Sequence, residues 1–398
     1  NTLLDYIPNY KGYTFSLNTQ VDGDRGASVL TIDPEQDIKK LKYDTGDVRL
    51  VYNFTNNLFS ENQEGGEFFV QEISSDKTEL KLLSLSLERE QILNYVKRAL
   101  ENASLKQEKD TSIFMMEESI ALGCKVYQCE MSDLYISEGM VLADSRNIIA
   151  IGSNKVESIK KESIKVADFD FTFMRKDPPV DKDYINSLHL LGLAETHGAT
   201  VFNKPNSIKE FNEKIFAIHF KEFIPQTLVT SNIKKVIEFQ LKHDTIVVKP
   251  LDGMGGESIY KMDNFEDENL DILLDMTDNE NTQIIAQEFL EDIYKGDFRI
   301  LIINGKPFPK TLARIPQGES FKGNLAAGGM GVVKDITEVQ QKTAEKIGKY
   351  LITKGINFAG IDMIGKYLTE INITSPTCAR EIFKQSGKNP IKEYLELL

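Results

Sequence analysis

Three stretches carry residues whose types and spacing suit chemistry on phosphates. The first runs Thr245-Ile246-Val247-Val248-Lys249-Pro250-Leu251-Asp252-Gly253-Met254-Gly255-Gly256-Glu257-Ser258-Ile259-Tyr260. An apolar strand delivers Lys249, and a loop holding Gly253, Gly255 and Gly256 returns as a second strand. Glycines let backbone N–H groups approach an anion, and the lysine adds a compact positive charge. A Walker loop ends Gly-Lys-Ser/Thr and opens a helix. Here the lysine precedes the glycines, so the pattern predicts a β-hairpin flap over phosphates, with a plain turn as the simpler reading.

The second stretch is Asn357 to Thr374, two apolar strands about a turn at Gly365-Lys366. Glu370 and Asn372 stand two apart and share a strand face. Pairing about the turn brings Asp362 near Thr369 or Glu370. Two carboxylates and an amide oxygen then converge, a hard-oxygen set suited to Mg²⁺ or Mn²⁺. The bland alternative is a polar hairpin face. The third stretch, Arg314 to Gly331, is long and holds Gly318, Gly323, Gly328, Gly329 and Gly331, as a lid does. Just before it, Asp297 and Arg299 share a face of the strand Lys295 to Ile303.

Elements must position these groups. From Asp110 the pattern is α/β: a helix over Thr111–Leu122, strands over Lys125–Cys129, Phe169–Arg175 and Ala199–Asn203, and a helix over residues 184–197. This alternation predicts a mainly parallel sheet. Two prolines after Asp177 leave Arg175 at a strand's end. Residues 1–86 read as a β-rich domain, with alternation at Val48, Leu50, Tyr52 and Phe54 and a hairpin about Ser74-Ser75-Asp76-Lys77. A helix and linker follow over 87–109.

The chain has 398 residues, enough for two or three domains, with 41% hydrophobic and 27% charged residues. Lys and Arg number 47 and Asp and Glu 61, a net charge of −14, which argues against nucleic acid and anionic membranes as partners. Three cysteines, Cys124, Cys129 and Cys378, are too few and odd for a disulfide framework and fit a reducing cytoplasm. No apolar run is long enough to span a bilayer, and the N-terminus is not a secretory signal. Lacking an initiator Met, the chain reads as processed, trimmed or a fragment.

From about residue 110 to the C-terminus, the chain resembles the bacterial-type glutathione synthetases, which are ATP-grasp ligases. The resemblance rests on Met174-Arg175-Lys176-Asp177-Pro178-Pro179, Asn203-Lys204-Pro205, Asn212-Glu213-Lys214, Lys249 to Gly256, Leu312-Ala313-Arg314-Ile315-Pro316-Gln317-Gly318, Gly323 to Gly329, and Glu370-Ile371-Asn372-Ile373-Thr374-Ser375-Pro376-Thr377. It implies ATP-dependent joining of γ-glutamylcysteine to glycine through an acyl phosphate. Lys214 and Lys249 would hold ATP phosphates under the Gly253–Gly256 flap. Gln287, Glu288 and the strand after them would contact adenine and ribose, with Asp297 also on the nucleotide. Asp362, Glu370 and Asn372 would hold Mg²⁺. Arg299 and Arg314 would neutralise charge in the transition state, and Arg175, Ser375, Pro376 and Thr377 would grip the dipeptide. Met330 stands where the family more often has a basic residue, which predicts altered lid docking.

The expected fold is thus α/β plus α+β: an ATP-grasp ligase preceded by a β-rich extra domain. Residues 110–213 form the substrate domain, and 214–398 the ATP-grasp domain, split at 287/288. The family's first strand has no counterpart before Asp110, so the substrate domain is expected to lack it, with dipeptide affinity weakened and Mg-ATP binding retained. A homo-oligomer is among the expected forms. Two rivals remain. One is another ATP-grasp carboxylate-amine ligase, such as one joining two D-alanines; ADP release on each substrate pair separates them. The other is a fusion whose β-rich front half is the working structural or binding module.

Overall fold

The computed structural model describes residues 110–398, apart from 153–154, 159–160, 177–179, 252–257, 265–266, 319 and 326–327, together with four strands within 1–109. The chain divides into two units, Asn1–Glu108 and Lys109–Leu398. In the first, β1 (Thr14–Val21) pairs antiparallel with β2 (Asp24–Thr31), and its other partners are β3 (Glu67–Phe68), antiparallel, and β4 (Glu79–Leu82), parallel. The described parts of the expected hairpin, Glu67–Phe68 and Glu79–Leu82, each pair with β1; its turn and residues 69–73 lie outside the described residues. The expected strand at 48–54 and helix at 87–105 lie outside the described residues.

The second unit opens with α1 (Thr111–Ala121), whose start is set by Asp110: its carboxylate accepts from Ser112 N at 2.6 Å and Ile113 N at 3.2 Å. A five-stranded antiparallel sheet follows: β5 (Val126–Gln128), β6 (Leu134–Ser137), β7 (Met140–Gly152), β8 (Lys155–Ser158) and β9 (Glu162–Lys165). The long β7 carries all of the others. Its hairpin with β6 turns on Glu138 and Gly139, both at positive φ (52° and 77°), which matches the twist of two antiparallel strands. Then come β10 (Thr172–Phe173), α2 (Lys182–Thr196) and β11 (Val201–Phe202), followed by α3 (Pro205–Glu210) and α4 (Glu213–Phe216).

A mainly parallel sheet was expected here, and the structure corrects that. Only β10 and β11, joined across α2, pair in parallel among the described strands of this unit. Tight turns return the chain antiparallel through 134–165, a region where the sequence pattern had suggested no elements. The strand expected over Phe169–Arg175 shrinks to two residues.

Two further antiparallel sheets make the rest. The smaller has the order β12 (Thr227–Thr230), β15 (Ile284–Glu288), β13 (Ile246–Pro250), β14 (Tyr260–Met262), with α5 (Ile233–His243) and α6 (Asp267–Met276) in its connections. Its core face presents Ile246, Val248, Ile284 and Ala286 to Val236 and Leu273. The alternate positions Val247, Lys249 and Gln287 therefore point away from that core. The larger sheet has the order β18 (Met330–Asp335), β17 (Lys306–Ile315), β16 (Asp297–Ile303), β19 (Phe358–Ile364), β20 (Tyr367–Asn372). One face packs Ile300, Ile302, Ile361 and Ile371 on α7 (Glu338–Thr353), which a capping box of Thr337 and Gln340 starts. The other packs Leu301, Ile303, Leu312 and Phe358 against α1, α8 (Ala379–Ser386) and α9 (Pro390–Leu395). Along that second face, residues turn from apolar to ionic: Arg299 and Asp297 follow Leu301 down β16.

Asn203, buried at 5% exposure, ties β11 to the larger sheet. Its Nδ2 donates to Phe358 O and Ile373 O, both at 2.7 Å, and its Oδ1 accepts from Asn357 N at 2.8 Å and Phe358 N at 3.0 Å. Every bonding position of the amide is used. Asn203→Leu leaves four backbone groups without these partners, and an unsatisfied buried group costs roughly 1–3 kcal/mol. The expected result is a loss of at least about 3 kcal/mol in urea unfolding; a loss under about 1 kcal/mol contradicts this account.

Candidate active site

A cleft is lined from both large sheets and by the segment after β17. From the smaller sheet come Val247, Lys249, Gln287 and Glu288; from the larger, Asp297, Asp362, Thr369 and Glu370. Lys214 enters from α4, and Phe321, Lys322, Gly323 and Asn324 close one side. Its lining, apolar side chains with a few convergent charged groups, is that of a small-molecule site.

The two strands about Gly365-Lys366 pair as expected, with Asp362 opposite Glu370 and a bulge after Asp362. Arg299 pairs with Asp362 across β16–β19, and Asp297 with Arg314 across β16–β17. This register assembles a buried ionic network. Arg299 grips Asp362 with two donors, Nε to Oδ1 and Nη2 to Oδ2, the latter at 2.8 Å. Arg314 Nη2 reaches Asp297 Oδ2 and also Asp362 Oδ2 at 2.9 Å. All four residues are at most 9% exposed. Burial opposes ionisation of Asp362, but Arg299 and Arg314 outweigh it and hold the carboxyl well below the usual carboxylate range. Burial pushes the Asp297 carboxyl up against the pull of Arg314, and Asp362 and Glu370 add to the rise, to about 6. Asp297 Oδ1 and Arg314 Nε are buried with no hydrogen-bond partner. Asp297 lines the cleft, so its Oδ1 is a group that a ligand there can satisfy.

Lys249, 7% exposed, stands 3.5 Å from Glu370 Oε1 across the cleft. Lys214 Nζ lies 3.4 Å from Leu251 O, and Asn212 caps α4 while donating to the same carbonyl at 3.1 Å. Gln287 and Glu288 line the cleft, though Gln287 Nε2 also donates to Thr227 Oγ1 at 3.1 Å. The strands flanking the glycine loop pair antiparallel, Val248 opposite Tyr260; Gly253, Gly255 and Gly256 themselves lie outside the described residues.

Asp362, Glu370 and Asn372 offer hard oxygen donors. Among the described residues, no group of three or more His, Cys, Asp or Glu is arranged to hold a metal, so a protein site needs the amide. Asn372 spends Nδ2 on Gly360 O at 3.3 Å and Asp362 Oδ2 at 3.4 Å, which leaves its Oδ1 as an acceptor. Asp362 Oδ1 accepts one bond, from Arg299 Nε, and keeps a lone pair. The set fits a divalent cation that also takes oxygens from a phosphate.

Arg175 joins the loop after β20: Nη2 donates to Pro376 O at 3.0 Å and Nε to Ser112 Oγ at 3.3 Å, with the guanidinium 5.8 Å over Phe358. Ser375 Oγ is buried without a partner, whereas Thr377 is exposed with its hydroxyl beside Cys378 Sγ. Arg175 and Ser375–Thr377 are thus brought together, and none of them is among the residues lining the cleft. The segment after Arg314 returns as β18, whose Met330 pairs with Ile315 and is 49% exposed. Sequence reasoning missed the roles of Asn203, Gly360 and Thr369, whose hydroxyl donates to Asp362 O at 3.1 Å. A lone glycine in an apolar strand was the available signal for Gly360.

Two sheets closing on a cleft whose walls supply lysines and carboxylates define an ATP-grasp fold. Accordingly, the structure is similar to a Chryseobacterium gregarium RiPP-associated ATP-grasp ligase in complex with ADP and a leader and core peptide, with a TM-score of 0.50 and 18% identity, covering 74% of this chain and 94% of that one. The model of the prokaryotic glutathione synthetase N-terminal domain matches residues 100–209, and that of the ATP-grasp domain residues 213–387. Glutathione synthetase of Vibrio parahaemolyticus serotype O3:K6 (strain RIMD 2210633) is 40% identical over 283 residues, 70% of this chain and 89% of that protein. That of Escherichia coli (strain K12) is 42% identical over 284 residues, with the same shares. The chain belongs to the prokaryotic glutathione synthetase family. Among the described residues, no helix is long and apolar enough to cross a membrane.

Proposed function

We propose that this ligase joins γ-glutamylcysteine to glycine at the expense of ATP, giving glutathione, ADP and phosphate, and that the cleft between the sheets is its nucleotide site. The observation that carries the site is the buried, unpartnered Asp297 Oδ1 in a cleft that Lys214, Lys249, Asp362 and Glu370 also line. Lys214 and Lys249 hold phosphates, the Gly253–Gly256 flap covers them, Gln287 and Glu288 border the base and sugar, and Asp297 Oδ1 accepts from a nucleotide hydroxyl. Asp362, Glu370 and Asn372 hold Mg²⁺ or Mn²⁺, which supplies charge neutralisation of the phosphates when bound.

The reaction follows from this placement. The dipeptide's terminal carboxylate attacks the γ-phosphorus, its oxygen bonds to phosphorus, and the bond to the β-phosphate oxygen breaks to leave ADP. Glycine's amine then adds to the acyl carbon, and the bond to the phosphate oxygen breaks. Arg314 and Arg299, fixed by their carboxylates, stabilise charge on the transferring phosphoryl and on the tetrahedral carbon. Arg175 holds the loop of Ser375, Pro376 and Thr377 for the dipeptide. The division at 213/214 into a substrate domain and an ATP-grasp domain, and a β-rich domain before them, accord with this reading. A reducing cytoplasm suits three unpaired cysteines.

Purified protein given γ-glutamylcysteine and glycine should release ADP and form glutathione, and D-alanine should not replace them. Product with D-alanine alone overturns the substrate assignment.

The lid is expected to protect the acyl phosphate. A Cβ on Gly323 would lie 2.5 Å from Arg314 O and 3.2 Å from Asp297 Cβ, so Gly323→Ala holds the segment off the network. The expected outcome is more ATP hydrolysed per glutathione formed, because water reaches the intermediate. An unchanged ratio of ADP to glutathione counts against a lid at this position.

A further inference from the structure

The geometry points to Gly360 as a positioning residue for the reaction: its missing side chain is the space through which Arg299 reaches Asp362 and against which Pro376 packs. This deepens the functional reading above and rests on it. Gly360 sits inside β19 at an ordinary extended conformation, so no backbone requirement calls for glycine. The requirement is space. A Cβ built there would fall 2.8 Å from Arg299 Cδ, 3.5 Å from Arg299 Nε and 3.1 Å from Pro376 Cβ. The first distance is closer than carbon atoms approach, and the third is tight.

The register explains the crowding. Gly360 pairs with Leu301 and Asp362 with Arg299, so Gly360 is the diagonal neighbour of Arg299 on the same sheet face. The arginine stem crosses the glycine before its fork meets both oxygens of Asp362. On its other side stands Pro376, whose carbonyl accepts from Arg175 Nη2 at 3.0 Å. One absent methyl therefore sets both the guanidinium of Arg299 and the seat of the 375–377 loop. Arg299 cannot swing clear without giving up a two-point contact in a site where it is 6% exposed.

The test is a cycle of Gly360→Ala and Arg299→Ala, read by kcat, by the KM values for ATP and dipeptide, and by melting temperature. Gly360→Ala alone should lower kcat about 10- to 100-fold, because a shift near 1 Å in a reacting group costs that much. The KM for ATP should stay within about twofold of the parent, since the nucleotide-contacting lysines are elsewhere. In the Arg299→Ala background, Gly360→Ala should cause a much smaller further loss of kcat and a smaller fall in melting temperature, because only the crowding against Pro376 remains. Equal losses in both backgrounds, or unchanged kcat with Arg299 present, overturn the positioning role. Normal kcat in Arg299→Ala itself overturns the functional reading of Arg299 instead. Should Arg299→Ala not fold, Gly360→Ala alone decides: loss confined to kcat and dipeptide KM supports the proposal, and a parallel loss of ATP affinity defeats it.

Discussion

Asp362→Asn is expected to destabilise the protein by about 3–5 kcal/mol and to abolish ligation, because it removes the one carboxylate that both arginines share. Asp362 is 2% exposed and meets Arg299 through two bonds and Arg314 at 2.9 Å. In its absence two buried guanidiniums are left with Asp297 as their only acid in the network, and Asp297 is the member whose carboxyl is pushed up to about 6. The amide has nearly the same shape, so the effect isolates charge. Urea unfolding measures it. A variant within about 1 kcal/mol of the parent would falsify the claim that this network carries stability.

Glu370→Gln should behave differently. Glu370 is partly exposed in the cleft and meets Lys249 at 3.5 Å, an ion pair between two sheets rather than part of the sealed network. The contact is long and its acid opens on the cleft, where water can take the place of the lost charge, so the fold should survive. Ligation should fall by about 100-fold or more, the scale seen when an electrostatic partner of the transition state is lost. Titration calorimetry with Mg²⁺ and ATP should show weaker nucleotide binding in the variant, and the difference should vanish when the metal is chelated. Near-normal turnover would show that the metal site has been assigned to the wrong carboxylates.

Much of this site was legible because short-range rules sufficed. A two-residue turn at Gly365-Lys366 put Asp362 near Thr369 or Glu370 without a fold, and the bulge after Asp362, which the sequence does not announce, makes the partner Glu370. Strand alternation put Asp297 and Arg299 on one face. What could not be read was the partner of each arginine, since β16–β17 and β16–β19 registers depend on how strands far apart in sequence dock. The sequence suggested Arg299 and Arg314 as groups waiting for substrate; in the structure, both are anchored on carboxylates. The parallel sheet failed for a related reason. Alternating helices and strands suggested crossovers, yet the turn at Glu138-Gly139 and the length of β7 commit residues 134–165 to antiparallel pairing. Asn203 was visible as part of Asn-Lys-Pro, but nothing local announces an amide that serves four backbone groups 154 or more residues away.

The amide of Asn203 has a mechanical consequence. It welds β11 to the ends of β19 and β20, and so makes one stiff frame of α2, β11 and the larger sheet. The smaller sheet stands on its own core of Ile246, Val248, Leu273 and Ala286, and reaches across the cleft through few side chains, Lys249 among them. It is the jaw of the pair. The expected consequence is that nucleotide binding changes hydrogen exchange in residues 227–288 more than in β16, β17, β19 and the 375–377 loop. The chemistry would then be held on the stiffer part.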